Sequence, residues 1–148
     1  MRRNDLLAIN AVTSRQRRVV VPQSFLGFCE WLGVELTPGQ AEFARVAYDG
    51  LEPLDRDLAV KIFGKDLPVG RRRVVAAVCG RRAGKSYVMV ALRLVHGMLV
   101  RDVPPLPPGI KAVAMIIAPR SNMRDEVFAY ALGAIESKPE LRAMLVST

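Results

Sequence analysis

The sequence is poor in the residues that build metal sites and disulfide frameworks. It has two cysteines, Cys29 and Cys79, and one histidine, His96, with no CxxC pair and no cysteine–histidine spacing. This pattern argues against a zinc site and against disulfides, and it fits a reducing cytosol. His96 lies in an apolar stretch, so we expect it to pack rather than to catalyse.

Long apolar runs are also missing. No run approaches the roughly 20 residues that a membrane helix needs. The apolar stretch near the N-terminus is short and is followed by arginines rather than by a small-residue cleavage site, so we do not interpret it as a signal peptide. We therefore expect no membrane segment and a cytoplasmic location.

Negative charge is absent from one part of the chain. The net charge is +8, from 22 lysines and arginines against 14 carboxylates. From Leu67 to Arg101 there is no aspartate or glutamate, whereas the rest of the chain balances fourteen basic against fourteen acidic residues. The eight basic residues of this segment are Arg71, Arg72, Arg73, Arg81, Arg82, Lys85, Arg93 and Arg101. Such a local excess suits a polyanionic partner, either a nucleotide or nucleic acid.

The centre of that segment resembles a phosphate-binding loop. Cys79 to Ser86 reads CGRRAGKS, after the apolar run Val74–Val78 and before a long apolar stretch. Glycines let backbone N–H groups approach a polyphosphate, and a helix N-terminus favours its charge. Lys85 would reach the β- and γ-phosphates and the Ser86 hydroxyl would bind Mg²⁺. The general motif has glycine at the position of Cys79, and the alternative is a turn whose lysine is only solvated.

The pattern of elements predicts an α/β fold. We expect a basic mobile arm over 1–22, a helical segment over 23–66, and over 67–148 the N-terminal portion of a P-loop ATPase core with an incomplete parallel sheet. The predicted helices are Ser24–Trp31, Thr37–Gly50, Asp55–Ile62, Ser86–Val100 and a last helix that begins at Ser121 or Asn122 and ends at Ile135. The predicted buried strands are Arg73–Cys79 and Lys111–Ala118.

Thr37 and Gln40 allow two interpretations. In the first they form a capping box, with the threonine capping the N3 amide and the glutamine reaching back to the cap residue. In the second, Gln40 presents its side-chain amide to an adenine base. Both need only the same spacing, so the pattern leaves them open.

In order along the chain, three stretches resemble the ATPase domain of tailed-phage terminase large subunits, the motors that package viral DNA. They are WLGVELTPGQAEFARVAYDG, VVAAVCGRRAGKS and AVAMIIAPRSNMRDEVF, and the resemblance covers roughly Gln23 to Ile135. It implies a RecA- or helicase-like P-loop fold that binds ATP and Mg²⁺ and translocates double-stranded DNA. It also implies a small terminase subunit and a portal protein as partners, a homo-oligomeric ring, and the cytoplasm of an infected or lysogenic bacterium.

The resemblance assigns roles to individual residues. It favours Gln40 as an adenine contact, and it implies that Arg81 stabilises the transferred phosphoryl group together with Lys85. Arg82 would contact a phosphate or a carboxylate. The nucleotide-binding set that it implies is Gln40, Gly80, Arg81, Arg82, Ala83, Gly84, Lys85 and Ser86.

The carboxylates that hydrolysis needs are not evident in the sequence. Phosphoryl transfer of this class uses an aspartate on Mg²⁺ and normally a glutamate beside it, at the end of a second strand. Lys111–Ala118 ends in Pro119-Arg120 instead, and no acidic nuclease cluster follows. We therefore expect a truncated portion of a larger motor, inactive in hydrolysis alone. The alternatives are a fragment of another helicase-like ATPase, or a non-catalytic DNA-binding or regulatory protein that retains the loop.

Overall fold

Helices account for the regular structure of this protein in a computed structural model that describes residues 20–70, 74–80, 83–100, 107, 110 and 113–145. Helices take up 57% of the described residues, and no β-strand occurs among them. The helices are α1 (Phe25–Leu32), α2 (Pro38–Phe43), π1 (Ala44–Tyr48), α3 (Arg56–Phe63), π2 (Lys85–Leu92), α4 (Arg93–Val100), α5 (Ser121–Glu136) and α6 (Pro139–Arg142). Here π1 and π2 are π-helical segments. π1 directly follows α2, and π2 leads directly into α4.

Local capping signals define the first three α-helices, as expected from the sequence. The Ser24 hydroxyl accepts from the Gly27 amide at 3.1 Å, and Asp55 accepts from the Leu58 amide at 2.9 Å. Gly33 ends α1 in the left-handed region at φ 77°, where a side chain would be strained. These bonds satisfy first-turn amides that have no partner within the helix. The helices predicted near these signals are therefore confirmed.

The continuous helix formed by π2 and α4, Lys85–Val100, lies against most of the core. Its fully or nearly buried side chains recur at intervals of three and four residues, which places them on one helix face. They are Val88, Ala91, Leu92, Val95 and His96. Opposite them lie Phe25 and Phe28 of α1, and Val127, Ala131 and Ala134 of α5, which belong to the same hydrophobic cluster.

His96 is a fully buried member of this core. Its ring centroid lies 5.6 Å from that of Phe25 and 5.0 Å from that of Phe28. Nε2 is 3.1 Å from the Pro22 carbonyl oxygen, and Nδ1 is 3.2 Å from Arg93 Nη1. Because a carbonyl only accepts, this arrangement requires the proton on Nε2 and leaves Nδ1 to accept from the guanidinium. The expectation that His96 packs is confirmed.

The predicted α/β fold with a parallel sheet is wrong. The described parts of the two predicted strands, 74–79 and 113–118, have no regular secondary structure, and Arg73, Lys111 and Ala112 lie outside the described residues. Val78 and Ile117 are 107% and 87% exposed rather than buried. An apolar, β-branched run favours a strand only where a neighbouring strand pairs with its backbone, and neither segment has one within the described chain.

The predicted arm over 1–22 lies almost wholly outside the described residues, which begin at Val20. None of the helices within the described ranges combines the length and the apolar character needed to cross a membrane.

One carboxylate joins π1 to α1. Asp49 follows π1, and its two carboxylate oxygens accept from the amides of Phe25 at 2.6 Å and Leu26 at 3.1 Å. These are first-turn amides, which have no acceptor within α1. The Asp49 carboxylate therefore supplies their hydrogen-bond acceptors and places a negative charge at the positive end of the helix dipole. The contact spans about two dozen residues and fixes α1 against the end of π1.

We predict that Asp49→Ala lowers the free energy of unfolding by about 1–2 kcal/mol, because two helix-end amides lose their acceptors. Urea unfolding followed by far-UV circular dichroism measures the change. Asp57→Ala is the matched control, since Asp57 is an exposed acidic residue in the first turn of α3. An Asp49 variant no less stable than the Asp57 variant would contradict this role.

Candidate phosphate-binding site

The loop with the phosphate-binding pattern ends where the helix Lys85–Val100 begins. Gly80, Ala83, Gly84, Lys85 and Ser86 are described, whereas Arg81 and Arg82 lie outside the described residues. Gly84 occupies the cap position with φ 75°, in the left-handed region that glycine adopts without strain. The chain thus turns at Gly84 and enters the helix at Lys85, as the motif predicts.

The start of this helix has the electrostatic character of an anion site. No side chain among the described residues caps it. Val88 is the first residue of this helix with a backbone hydrogen bond to the chain before it, and its amide donates to the Gly84 carbonyl at 2.8 Å. The amides before Val88 have no partner within the helix, and together with the helix dipole they favour an anion. Lys85 is exposed and Ser86 half-buried, so the ammonium group is accessible to a ligand at this end.

Gln40 makes a direct contact with the loop. Its Nε2 donates to the Ala83 carbonyl oxygen at 2.9 Å, across 43 residues of sequence. Its Oε1 accepts from the Thr37 amide at 3.0 Å, and its own amide donates to Thr37 Oγ1 at 3.4 Å. The capping-box interpretation is therefore confirmed. The role of Gln40 as an adenine contact stays a prediction, but the structure does place Gln40 against the loop.

Gly84 also allows Gln40 to come this close. A Cβ added to Gly84 would lie 2.4 Å from Gln40 Nε2, well inside van der Waals contact. The glycine is thus required for two separate reasons, its positive φ and the approach of the glutamine side chain. Sequence reasoning gave a different reason for the loop glycines, the approach of backbone N–H groups to a polyphosphate. It missed the contact with Gln40, because nothing in the local motif indicates which side chain will lie over the glycine.

A second contact connects the same two parts of the chain. The Tyr48 hydroxyl at the end of π1 donates to the Met89 carbonyl in π2 at 3.3 Å, and the Arg93 guanidinium lies 5.1 Å from the centre of the Tyr48 ring. Burial raises the pKa of Tyr48, so the phenol stays a hydrogen-bond donor. Sequence analysis assigned no role to Tyr48. The segment from Gln40 to Tyr48 is thereby connected to both the loop and the helix that follows it.

The described acidic side chains near this segment have other partners. Glu42 is buried and accepts from the Leu54 amide at 2.9 Å, and Asp49 caps α1. No group of three histidine, cysteine, aspartate or glutamate side chains that could hold a metal occurs within the described ranges. Ser86 as a ligand of Mg²⁺ therefore stays a prediction.

A cavity of about 300 Å³ lies beside the start of the same helix. It is lined by the end of α1, by Tyr87 and by one face of α5, including Tyr130 and Gly133. Tyr87 and Tyr130 contact each other edge to face, with centroids 5.3 Å apart. Its lining has no charged side chain, so a polyphosphate would bind at the loop surface rather than in this cavity.

Comparisons with known proteins were negative. No family model matches the chain, and searches of curated proteins and of solved structures gave no match.

The two cysteines differ in a way that makes one of them a reporter of the loop. Cys29 is 1% exposed, and burial together with the nearby Asp49 carboxylate raises its pKa to about 12. Cys79 is half-buried beside Gly80, with its sulfur 3.7 Å from that of Met89. The thiolate is the reactive form, so Cys29 is unreactive near pH 8 on both grounds.

We predict that a thiol-specific chromogenic reagent at pH 8 labels one cysteine per native chain and two in denaturant. Cys79→Ser should remove the native reaction, and Cys29→Ser should leave it intact. The opposite assignment, or equal rates for the two thiols, would contradict the burial of Cys29.

We predict that Gly84→Ala disrupts the loop, because alanine is strained at φ 75° and its Cβ must displace the Gln40 amide. The labelling rate of Cys79 should change, and the free energy of unfolding should fall by about 1–2 kcal/mol. Gly39→Ala is the matched control, since a Cβ there meets nothing within 4 Å. Equal effects of the two substitutions would be inconsistent with this packing.

Proposed function

We propose that the loop from Cys79 to Ser86 binds the phosphates of ATP with Mg²⁺, and that the chain is the nucleotide-binding portion of an ATP-driven DNA-packaging motor like the terminase large subunit. The observation that carries the proposal is the 2.9 Å hydrogen bond from Gln40 Nε2 to the Ala83 carbonyl. Two of the three stretches on which the resemblance depends are thereby adjacent in space. They are also the two that would contact the base and the phosphates.

Each residue has a distinct task in this proposal. The amides at the start of π2 bind phosphate oxygens, and Lys85 neutralises the β- and γ-phosphates. The Ser86 hydroxyl is one ligand of Mg²⁺. Arg81 stabilises charge on the transferred phosphoryl group and Arg82 contacts a phosphate or a carboxylate; neither is among the described residues. The predicted parallel sheet has no part in the proposal, because a helix N-terminus binds phosphate without one.

The charge distribution supports a nucleic-acid partner as well. Eight basic residues and no carboxylate lie between Leu67 and Arg101, so the sequence on both sides of the loop carries only positive charge. Double-stranded DNA is the partner that this charge suits and that a packaging motor requires. A small terminase subunit, a portal protein, a homo-oligomeric ring and the cytoplasm of an infected bacterium complete the proposal and rest on the resemblance alone.

The same charge favours a second candidate function. In it the chain is a non-catalytic DNA-binding protein, and the loop contacts DNA phosphates instead of a nucleotide. Its affinity for duplex DNA would then fall steeply with rising salt, and ATP would have no effect on it. The nucleotide proposal requires instead that ATP bind at moderate salt and protect the loop.

We predict that Lys85→Ala weakens ATP binding about 10- to 100-fold, because a charge-assisted contact to phosphate contributes about 1.5–3 kcal/mol. Isothermal titration calorimetry with Mg²⁺-ATP measures the affinity, and ATP should slow the labelling of Cys79 in the unmodified protein. Hydrolysis is not needed for either readout.

Lys65→Ala is the matched control for this experiment, since Lys65 is an exposed lysine in the turn after α3. It should leave the affinity unchanged. Equal affinity of Lys85→Ala and the unmodified protein would refute the phosphate site. Arg81→Ala, measured in the same way, tests whether that arginine contributes to binding. Duplex-DNA binding with a steep salt dependence but no response to ATP would instead support the second candidate.

A further inference from the structure

We infer that Gln40 is a positioning residue for the phosphate loop: by holding the Ala83 carbonyl it sets the affinity for a polyphosphate even when no base is present. This inference rests on the proposed function, because it concerns the same site. It assigns to Gln40 a task that is separate from contact with adenine.

The first step is the direction of one peptide group. The Ala83 carbonyl oxygen accepts from Gln40 Nε2, and the described residues contain no cis peptide bond. In a trans peptide unit the carbonyl and the following N–H point in opposite directions. The Gly84 amide proton therefore points away from Gln40. Glycine at 84 has an unusually free backbone, so without this hydrogen bond the 83–84 peptide could rotate and withdraw that donor from a bound phosphate.

The second step is the rigidity of the group that holds the peptide. Rotation of the Gln40 side-chain amide is restricted, because its Oε1 accepts a hydrogen bond from the Thr37 backbone amide at 3.0 Å. Gln40 belongs to the helix that continues into π1, and π1 bonds to π2 through Tyr48 and Met89 at 3.3 Å. The continuous helix of α2 and π1 therefore contacts both the loop, through Gln40, and the helix that follows the loop, through Tyr48. A polyphosphate then meets a donor set whose geometry exists before binding, which lowers the entropic cost of association.

The third step is a count of hydrogen-bonding capacity. A glutamine amide has two N–H donors and two acceptor lone pairs. The Ala83 carbonyl takes one donor and the Thr37 amide takes one lone pair, so within the described part of the chain one donor and one lone pair have no other partner. A donor and an acceptor are what the N6/N7 edge of adenine requires. Positioning the loop and contacting a base are therefore compatible, and an experiment can separate them.

Inorganic tripolyphosphate separates the two roles because it has the phosphates but no base. We compare the unmodified protein with Gln40→Met, which preserves the length and neutrality of the side chain but removes its amide. Ser24→Ala is the matched control, because it removes a helix cap of similar kind at α1, away from the loop. Titration calorimetry with tripolyphosphate and with Mg²⁺-ATP gives the affinities, and circular dichroism verifies that each variant retains its helices.

We predict that Gln40→Met weakens tripolyphosphate binding about five- to ten-fold and ATP binding at least as much, as expected for one lost hydrogen bond. Ser24→Ala should change either affinity less than two-fold. Gln40→Asn, which keeps an amide but is one methylene shorter, should behave like Gln40→Met, because its amide is drawn back from the Ala83 carbonyl.

The possible failures are distinguishable. If Gln40→Met weakens ATP binding but leaves tripolyphosphate binding unchanged, Gln40 contacts only the base; the inference is then overturned and the proposed function stands. If Ser24→Ala weakens tripolyphosphate as much as Gln40→Met does, general loss of stability explains the result and the inference is likewise overturned. If the unmodified protein binds neither ligand, the proposed function itself is wrong.

Discussion

Burial of one face of the helix Lys85–Val100 is the constraint on which the rest of the structure depends. Leu92, Val95 and His96 are 0–1% exposed. α1 and α5 pack against this helix, and π1 contacts it through the hydrogen bond from Tyr48 to Met89. Each buried aliphatic side chain contributes about 1.5–3 kcal/mol by leaving water. The same helix begins at the candidate phosphate loop. Burial of this face therefore fixes the direction in which the first amides of the helix point. The packing of the core thus determines the geometry of the candidate site.

Two hydrogen bonds transmit that constraint to the loop. Tyr48 binds the carbonyl of Met89 within the helix, and Gln40 binds the carbonyl of Ala83 just before it. Both acceptors are backbone groups, so the contacts specify main-chain direction more than side-chain identity. This explains why Thr37 and Gln40 can serve as a helix cap and a loop contact at once. The cap holds the amide still, and a fixed amide costs less entropy when it binds a further group.

The sequence predicted the parts of the fold that depend on neighbouring residues. Helices were predicted to begin at Ser24, Thr37 and Asp55, and each of these residues caps its helix, because a cap bonds an amide only three residues away. The strand predictions depended on neighbouring strands from distant parts of the sequence. The side chains of Val78 and Ile117 are exposed, so an apolar composition alone did not produce a paired, buried strand. The sequence did not predict the hydrogen bond between Gln40 and Ala83 for the same reason. The two residues are 43 positions apart, and only the fold brings them together.

The absence of carboxylates from Leu67 to Arg101 gains a physical meaning from this geometry. A positive helix end with unpaired amides attracts any nearby anion, including an acidic side chain of the same chain. At α1 this is what happens, since Asp49 occupies the first-turn amides. At Lys85 none of the described side chains does so, and Lys85 itself is exposed. The two helix ends thus differ in one property: the first-turn amides of α1 bond to Asp49, whereas no side chain among the described residues bonds to the first amides of the helix at Lys85.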